Sequence, residues 1–319
     1  MDASTANALT QTQTTTTPLV ASVEEVKQIE LLLEQEGTSL YSLMGKAGGA
    51  LADAVMDHLR NNSSTNAPKI AVLCATGNNG GDGWVAAGIL ARFGMQVDLF
   101  SSAGAGDLKA QPAALWAQEV CAGAQSTLRI HVGPEGPWAL SESAEGDEAY
   151  DVVIDCMLGT GFAGVKVKNP FDRWVNWCNQ ARHQGSWILA ADVPSGLNAQ
   201  TGKVAVPCVK AHRTVTMITS KPGLETPYAF AYCGEVTVAE IADPRRHLAA
   251  IRSQCNCAPR TKDGACCAVV PSFISPQTRG PERMQPEFYR AETEDDDGYD
   301  PYSDRRPEPE PLFTRNPWD

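Results

Sequence analysis

The chain has 319 residues, with 38 acidic and 26 basic side chains and a formal net charge of -12. That balance excludes a nucleic-acid footprint built on a basic stripe. It leaves a nucleotide substrate open, because a few backbone amides outweigh a distant negative surface.

Residues 1–20 are rich in Thr, Gln and Ala and read as a disordered lead. They carry no Arg or Lys, so they do not resemble an amphipathic presequence, and no apolar run has the length of a membrane span. The default is a cytoplasmic protein. Structure is predicted from Ser22, which with Glu25 forms a capping box ahead of Val23, Val26, Ile29 and Leu33 at helical spacing. A second helix is predicted from about Leu40 to Leu59, with Leu43, Met44, Ala47, Leu51 and Val55 on its apolar face. Gly45, Gly48 and Gly49 lower its intrinsic helicity and suggest close packing against another element.

From residue 69 strands and helices alternate. Strands are predicted at 69–75, 95–100, 127–132, 150–154, 186–191, 213–219 and 235–241, and helices at 82–93, 110–122 and 170–183. The strands are short and rich in Val and Ile, as a parallel sheet covered on both faces requires. The expectation is a three-layer α/β/α Rossmann-like domain with a central, mostly parallel sheet. The last two strands have no evident helix between them and suggest an edge arrangement.

The predicted domain spans 21–248. Residues 249–319 hold many prolines and a Glu-Asp-Asp-Asp run, and read as an acidic, disordered tail. Cys255, Cys257, Cys266 and Cys267, with His247 nearby, lack the paired spacing of a zinc site. Cys74, Cys121, Cys156, Cys178, Cys208 and Cys233 lie mostly in or beside apolar segments and read as free thiols.

In an open parallel sheet, ligands sit beyond the carboxyl ends of the strands. Three such ends carry polar groups: Asn78-Asn79-Gly80-Gly81-Asp82, Asp155 through Gly164, and Asp192-Val193-Pro194-Ser195-Gly196-Leu197. The first suits an anion at a helix start. Gly159-Thr160-Gly161 permits close approach to a phosphate. Pro194 stiffens the turn after Asp192, which suits a positioned acid/base. Asn79, Asp155 and Ser195 together offer only oxygens and one charge, which favours a hard cation over zinc and leaves potassium and magnesium both open. The glycines at 77, 80, 81 and 83 match neither the dinucleotide fingerprint nor a P-loop. An NAD-dependent dehydrogenase is accordingly disfavoured, and Asp-Val-Pro-Ser-Gly is not a nucleophile elbow.

Asn78-Asn79-Gly80-Gly81-Asp82-Gly83, Gly159-Thr160-Gly161-Phe162 and Asp192-Val193-Pro194-Ser195-Gly196-Leu197, in this order, resemble the NAD(P)H-hydrate epimerase family, whose domain is also called the YjeF N-terminal domain. The resemblance extends through Lys221-Pro222-Gly223-Leu224 and covers about residues 20 to 248. It implies an isomerase of metabolite repair that interconverts the R and S forms of hydrated NADH and NADPH (NADHX and NADPHX). These are substrates rather than redox cofactors, and a separate dehydratase consumes the S form. By similarity, Asn78, Asn79, Gly80, Gly81 and Asp82, together with Gly159, Thr160, Gly161, Phe162, Ala163, Gly164 and Val165, would surround the substrate. Asn79, Asp155 and Ser195 would bind one K+ per subunit. Asp192 would contact substrate and is the choice for the general acid/base. Family members are often homodimers. A larger residue than Gly45 is expected in that motif. The alternative is a non-catalytic binding or scaffold module on the same fold, which intact strand-end motifs disfavour.

Overall fold

The computed structural model describes residues 18–62, 67–123, 125–138 and 149–255. Residues 1–17 of the expected lead and most of the expected tail, with Cys257, Cys266 and Cys267, lie outside the described residues, whereas Val20 bridges to Ser220.

Helix α1 (Val23–Gln35) starts at the expected capping box: the Glu25 N–H donates to Ser22 Oγ at 3.1 Å, and the Ser22 N–H to Glu25 Oε2 at 2.7 Å. Helix α2 (Leu40–Asn62) follows. Then come β1 (Lys69–Cys74), α3 (Asn78–Arg92), β2 (Gln96–Ser101), α4 (Gln111–Ala122) and β3 (Leu128–Val132). The second half holds β4 (Val152–Cys156), α5 (Phe171–His183), β5 (Trp187–Ala191), β6 (Arg213–Met217), the short α6 (Phe230–Cys233), β7 (Glu235–Ala239) and α7 (Arg245–Cys255).

The seven strands form one sheet in the order β3-β2-β1-β4-β5-β6-β7, with every neighbouring pair parallel. β1, β4 and β5 are buried on both faces, which is why they read as unbroken apolar runs. Ile70, Val72 and Cys74 of β1 join the core under α2, α3 and α4, whereas Ala71 and Leu73 join the core under α5. The helices thus cover both faces, in unequal number. The thiols of Cys74, Cys156, Cys178, Cys208 and Cys233 are buried and free, and burial raises the pKa of each. Cys121 is exposed.

The structure shifts some of the expected boundaries and forms the edge arrangement expected of the last two strands. α3 begins at Asn78, so the glycine-rich stretch is the first turn of the helix and not a loop before it. β4 runs to Cys156, which places Asp155 inside the strand, level with Leu73 of β1 and Ala190 of β5. β7 is parallel to β6, the crossover being a 3₁₀ turn at Pro222–Glu225 and the short α6. α7 runs on past residue 248, held to α1 by Arg252, whose Nε donates to Glu25 Oε1 at 2.8 Å. His247, considered as a zinc partner, is buried instead against Glu36, with 3.1 Å between Nε2 and Oε1. Among the described residues no helix is long and apolar enough to cross a membrane.

Candidate active site

β1 and β4 are sheet neighbours, yet the chain leaves β1 toward β2 and β3 and leaves β4 toward β5, β6 and β7. Their carboxyl ends therefore diverge into a crevice, the usual ligand position in such sheets. A cleft opens there. One wall is α1 and α2, through Val26, Lys27, Leu43 and Met44. The other side and floor are Asn78, Asn79, Asp82, Gly159, Thr160, Asp192, Met217 and Lys221. Apolar walls with a few convergent polar groups are the ordinary composition of a small-molecule site.

The start of α3 enters this cleft. Gly77 is its N-cap and makes no side-chain capping bond. The Gly81 N–H donates to Gly77 O at 3.1 Å, so the helix ladder begins at Gly81 and leaves the amides of Asn78, Asn79 and Gly80 ahead of it. Such amides at a helix start favour an anionic group. Gly80 and Gly81 serve a second purpose. A Cβ on Gly80 would stand 1.9 Å from Ala75 O, and one on Gly81 would stand 2.5 Å from Met44 Sδ. These two glycines let α3 press onto β1 and α2, and neither lines the cleft.

Beneath the cleft lies a buried oxygen cluster. Ser195 Oγ donates to Asp155 Oδ1 at 2.6 Å, and the Ser195 N–H donates to Asp155 Oδ2 at 2.8 Å. The Met157 N–H adds a bond to Oδ1 at 3.2 Å. The Leu158 N–H donates to Ser195 Oγ at 2.8 Å, and Leu158 O accepts from Asn79 Nδ2 at 3.2 Å. Asn79, Asp155 and Ser195 are thus brought together through Leu158. Burial pushes the Asp155 carboxyl up to about 6, against the hydrogen bonds from Ser195 and Met157, which act to lower it. No ion pair to a basic side chain is found at Asp155 among the described residues. Asn79 Oδ1 is buried with no hydrogen-bond partner. An orphaned acceptor beside a buried carboxylate is costly unless something positive joins them. This donor set fits a cation that prefers oxygen.

Asp192 follows β5 with φ +59°, a left-handed conformation that aspartate tolerates better than most side chains. Its N–H is held by Val215 O at 2.8 Å. Ile218, just past β6, has φ +66°, a true outlier for a β-branched residue. Each such residue costs on the order of 1–3 kcal/mol and persists only where its surroundings over-determine it. Here the two turns face each other. Asp192 Oδ1 accepts from Thr216 Oγ1 at 3.0 Å, from the Met217 N–H at 3.1 Å and from Lys221 Nζ. None of these bonds reaches Oδ2. The Asp192 side chain is partly exposed to the cleft, whereas Lys221 is 1% exposed.

The structure therefore places Asn78, Asn79, Asp82, Gly159, Thr160 and Asp192 on the cleft. It places Asp155 and Ser195 below it. Gly161, Phe162, Ala163, Gly164 and Val165 do not line the cleft. Phe162 is buried in the core under α5, and Val165 is 84% exposed. The Val165 carbonyl is tied to the Val206 N–H at 3.3 Å. Thr216, Met217 and Lys221 were missed. The signal was present for Lys221: the rule applied to three strand ends, a polar group just past an apolar strand, applies equally to β6.

The family described as "YjeF-related protein N-terminus" matches residues 40–223. The bifunctional NAD(P)H-hydrate repair enzyme Nnr of Coxiella burnetii is 37% identical over 214 residues, covering 67% of this chain and 39% of that protein. The enzyme of the same name from Moorella thermoacetica is 31% identical, covering 65% and 37%. The bifunctional NAD(P)H-hydrate repair enzyme of Leishmania infantum is 34% identical over 204 residues, covering 63% and 33%. The chain thus spans under two fifths of the length of these curated relatives. The crystal structure of yeast ynu0 superposes with a TM-score of 0.54 at 24% identity, covering 64% of this chain and 82% of that one, a likeness of fold. With the family match over more than half its length, this chain belongs to the YjeF-related protein N-terminus family.

Proposed function

We propose that the chain is an NAD(P)H-hydrate epimerase, an isomerase that equilibrates the R and S forms of NADHX and NADPHX. One observation carries the reading: a helix start suited to phosphate and a lone carboxylate oxygen, Asp192 Oδ2, share one cleft at the sheet's switch point. The repair enzymes among its relatives point to the same substrate class.

The diphosphate would lie over the amides of Asn78, Asn79 and Gly80, beside Gly159 and Thr160. Gly161, Ala163, Gly164 and Val165 would form the outer part of the substrate site, with Phe162 packed in the core beneath them. The damaged nicotinamide ring would lie toward Asp192. Asp192 Oδ2 gives its proton to the hydroxyl on carbon 6, the C–O bond breaks, and the hydroxyl leaves as water. The ring nitrogen takes up the charge as an iminium-like cation. Water then adds to the opposite face and loses a proton to solvent, from which Asp192 is recharged. Atoms and electrons balance with no redox step.

We assign a K+ ion to Asn79, Asp155 and Ser195, supported by the orphaned Asn79 Oδ1 and by the buried carboxylate with no basic partner among the described residues. When bound, it supplies a fixed positive charge beneath the cleft. In this reading the S epimer passes to a dehydratase, and the protein acts as a homodimer.

The test is incubation of R-NADHX with the protein, followed by NMR or chromatography. Equilibration with the S form is the expected result, and an unchanged R form overturns the assignment.

A further inference from the structure

Lys221 lines the cleft with a buried ammonium. Its ammonium has three N–H donors and no acceptor. All three are taken: by Asp192 Oδ1, by Thr216 Oγ1 at 2.8 Å and by Met217 O at 2.9 Å. Thr216 Oγ1 accepts from Lys221 and has two acceptors for its own hydrogen, Asp192 Oδ1 at 3.0 Å and Thr219 O at 3.5 Å, of which the first is the closer. The Met217 N–H completes the set on the same oxygen at 3.1 Å. Three of these hydrogens end on Oδ1.

An oxygen that accepts from three donors has no room for a proton of its own. We propose that Lys221 is the positioning residue that confines the exchangeable proton of Asp192 to Oδ2, the oxygen left for the cleft. The inference rests on the epimerase reading. It adds the reason why one carboxyl oxygen, and not the other, meets the substrate. Lys221 acts through Asp192. At 1% exposure it is screened from solvent, so its charge and its bonds act on Oδ1 at full strength. It also arrives from a separate strand end: Lys221 follows β6 and Asp192 follows β5, so the pair couples two loops that the sheet alone sets side by side.

The test uses the full chain and R-NADHX, with Lys221→Met, Lys221→Arg and Lys221→Ala. Lys221→Met keeps length and packing but loses all three donors. It is expected to lower kcat about 100-fold while KM changes less than about threefold, the pattern of an interaction needed in the transition state and not for binding. Lys221→Arg, which keeps the charge in a planar fork, is expected to fall between Met and wild type. Lys221→Ala leaves room for a small amine. Added propylamine is expected to restore its kcat at least about tenfold, and 1-propanol is expected to restore nothing. Thermal unfolding of each variant reports the fold, which a merely structural lysine would affect without amine rescue.

A folded Lys221→Met enzyme with kcat near wild type overturns the proposal. So does a folded Lys221→Ala enzyme that propylamine leaves unchanged. If Lys221→Met fails to fold, the amine experiment on Lys221→Ala decides alone, and an Ala variant that folds only poorly and gains nothing from the amine also counts against it. A wild-type chain that leaves R-NADHX untouched overturns the epimerase reading itself, which is a separate outcome read before any variant.

Discussion

Ser195 holds Asp155 through two different hydrogens, its hydroxyl on Oδ1 at 2.6 Å and its backbone N–H on Oδ2 at 2.8 Å. Only the first belongs to the side chain. Ser195→Ala therefore removes one donor from a buried carboxylate and leaves the other. The expected loss is about 1–3 kcal/mol, read by urea unfolding. The same substitution removes a proposed K+ ligand. Wild type is expected to be stabilised by KCl over tetramethylammonium chloride, by about 2.7 kcal/mol when K+ is about 100 times its Kd. Ser195→Ala and Asn79→Ala should lose most of that difference. Equal stability of wild type in the two salts would remove the ion from the assignment.

Asp192→Asn keeps the shape of the side chain and an oxygen able to take the bonds of Thr216, Met217 and Lys221. The atom in place of Oδ2 becomes an amide nitrogen that delivers no acid proton. Epimerisation is expected to fall by about 10²–10⁴, with substrate binding by calorimetry largely kept. Unchanged turnover would remove Asp192 from the chemistry.

A second buried carboxylate gives a pH signature. Asp98 of β2 is fully buried, and burial alone would raise its pKa. Arg129 at 2.7 and 2.6 Å, His131 at 2.9 Å and Tyr150 at 3.0 Å outweigh that and hold it below the ordinary value of 3.8. A depressed folded pKa contributes stability that is present above the unfolded value and lost as pH falls through the folded one. Asp98→Asn should therefore cost a near-constant amount at neutral pH, about 2 kcal/mol given the half-exposed Arg129. The gap should close below about pH 3.8. Urea unfolding at pH 7, 5 and 3 measures it, and a gap that does not change with pH would show that ionisation of Asp98 adds no stability.

Gly45 departs from the larger residue expected there, and Trp116 explains it. A Cβ at 45 would stand 2.8 Å from Trp116 Cζ2. That ring is pinned by its Nε1–H to Tyr41 O at 2.9 Å and by stacking on Tyr41 at 4.5 Å. Gly45→Ala gains about 1 kcal/mol of helix propensity but incurs about 1–3 kcal/mol of overpacking. A net loss is expected, turning to a net gain in a Trp116→Leu background. A two-by-two set of unfolding curves measures that reversal, and additivity of the two substitutions would exclude it.

The layers and the parallel sheet were legible because apolar β-rich runs alternate with capped helical periods, and each period is a local property. The cation cluster was legible because its three oxygens all lie at strand ends. Less legible were features set by contact alone. The helical start at Asn78 depends on Gly80 closing onto Ala75, which overrides a poor intrinsic propensity. Gly45 needs a tryptophan 71 positions away in the chain. Lys221 has no local signal of its role, because Asp192, which shares its donors with Thr216, meets it only in the fold. α7 has a low mean hydropathy, and its helix is secured by ion pairs to α1.

That last contact has a mechanical consequence. Arg252 grips Glu25 and also donates to Val20 O at 2.9 Å, so the first and last described helices are fastened at one corner. A force that separates residues 18 and 254 would load this clasp together with the backbone bonds of Leu19 and Ala21 to Ser220. α1 is also a wall of the cleft. Tension between residues 18 and 254 would therefore bear on a wall of the site.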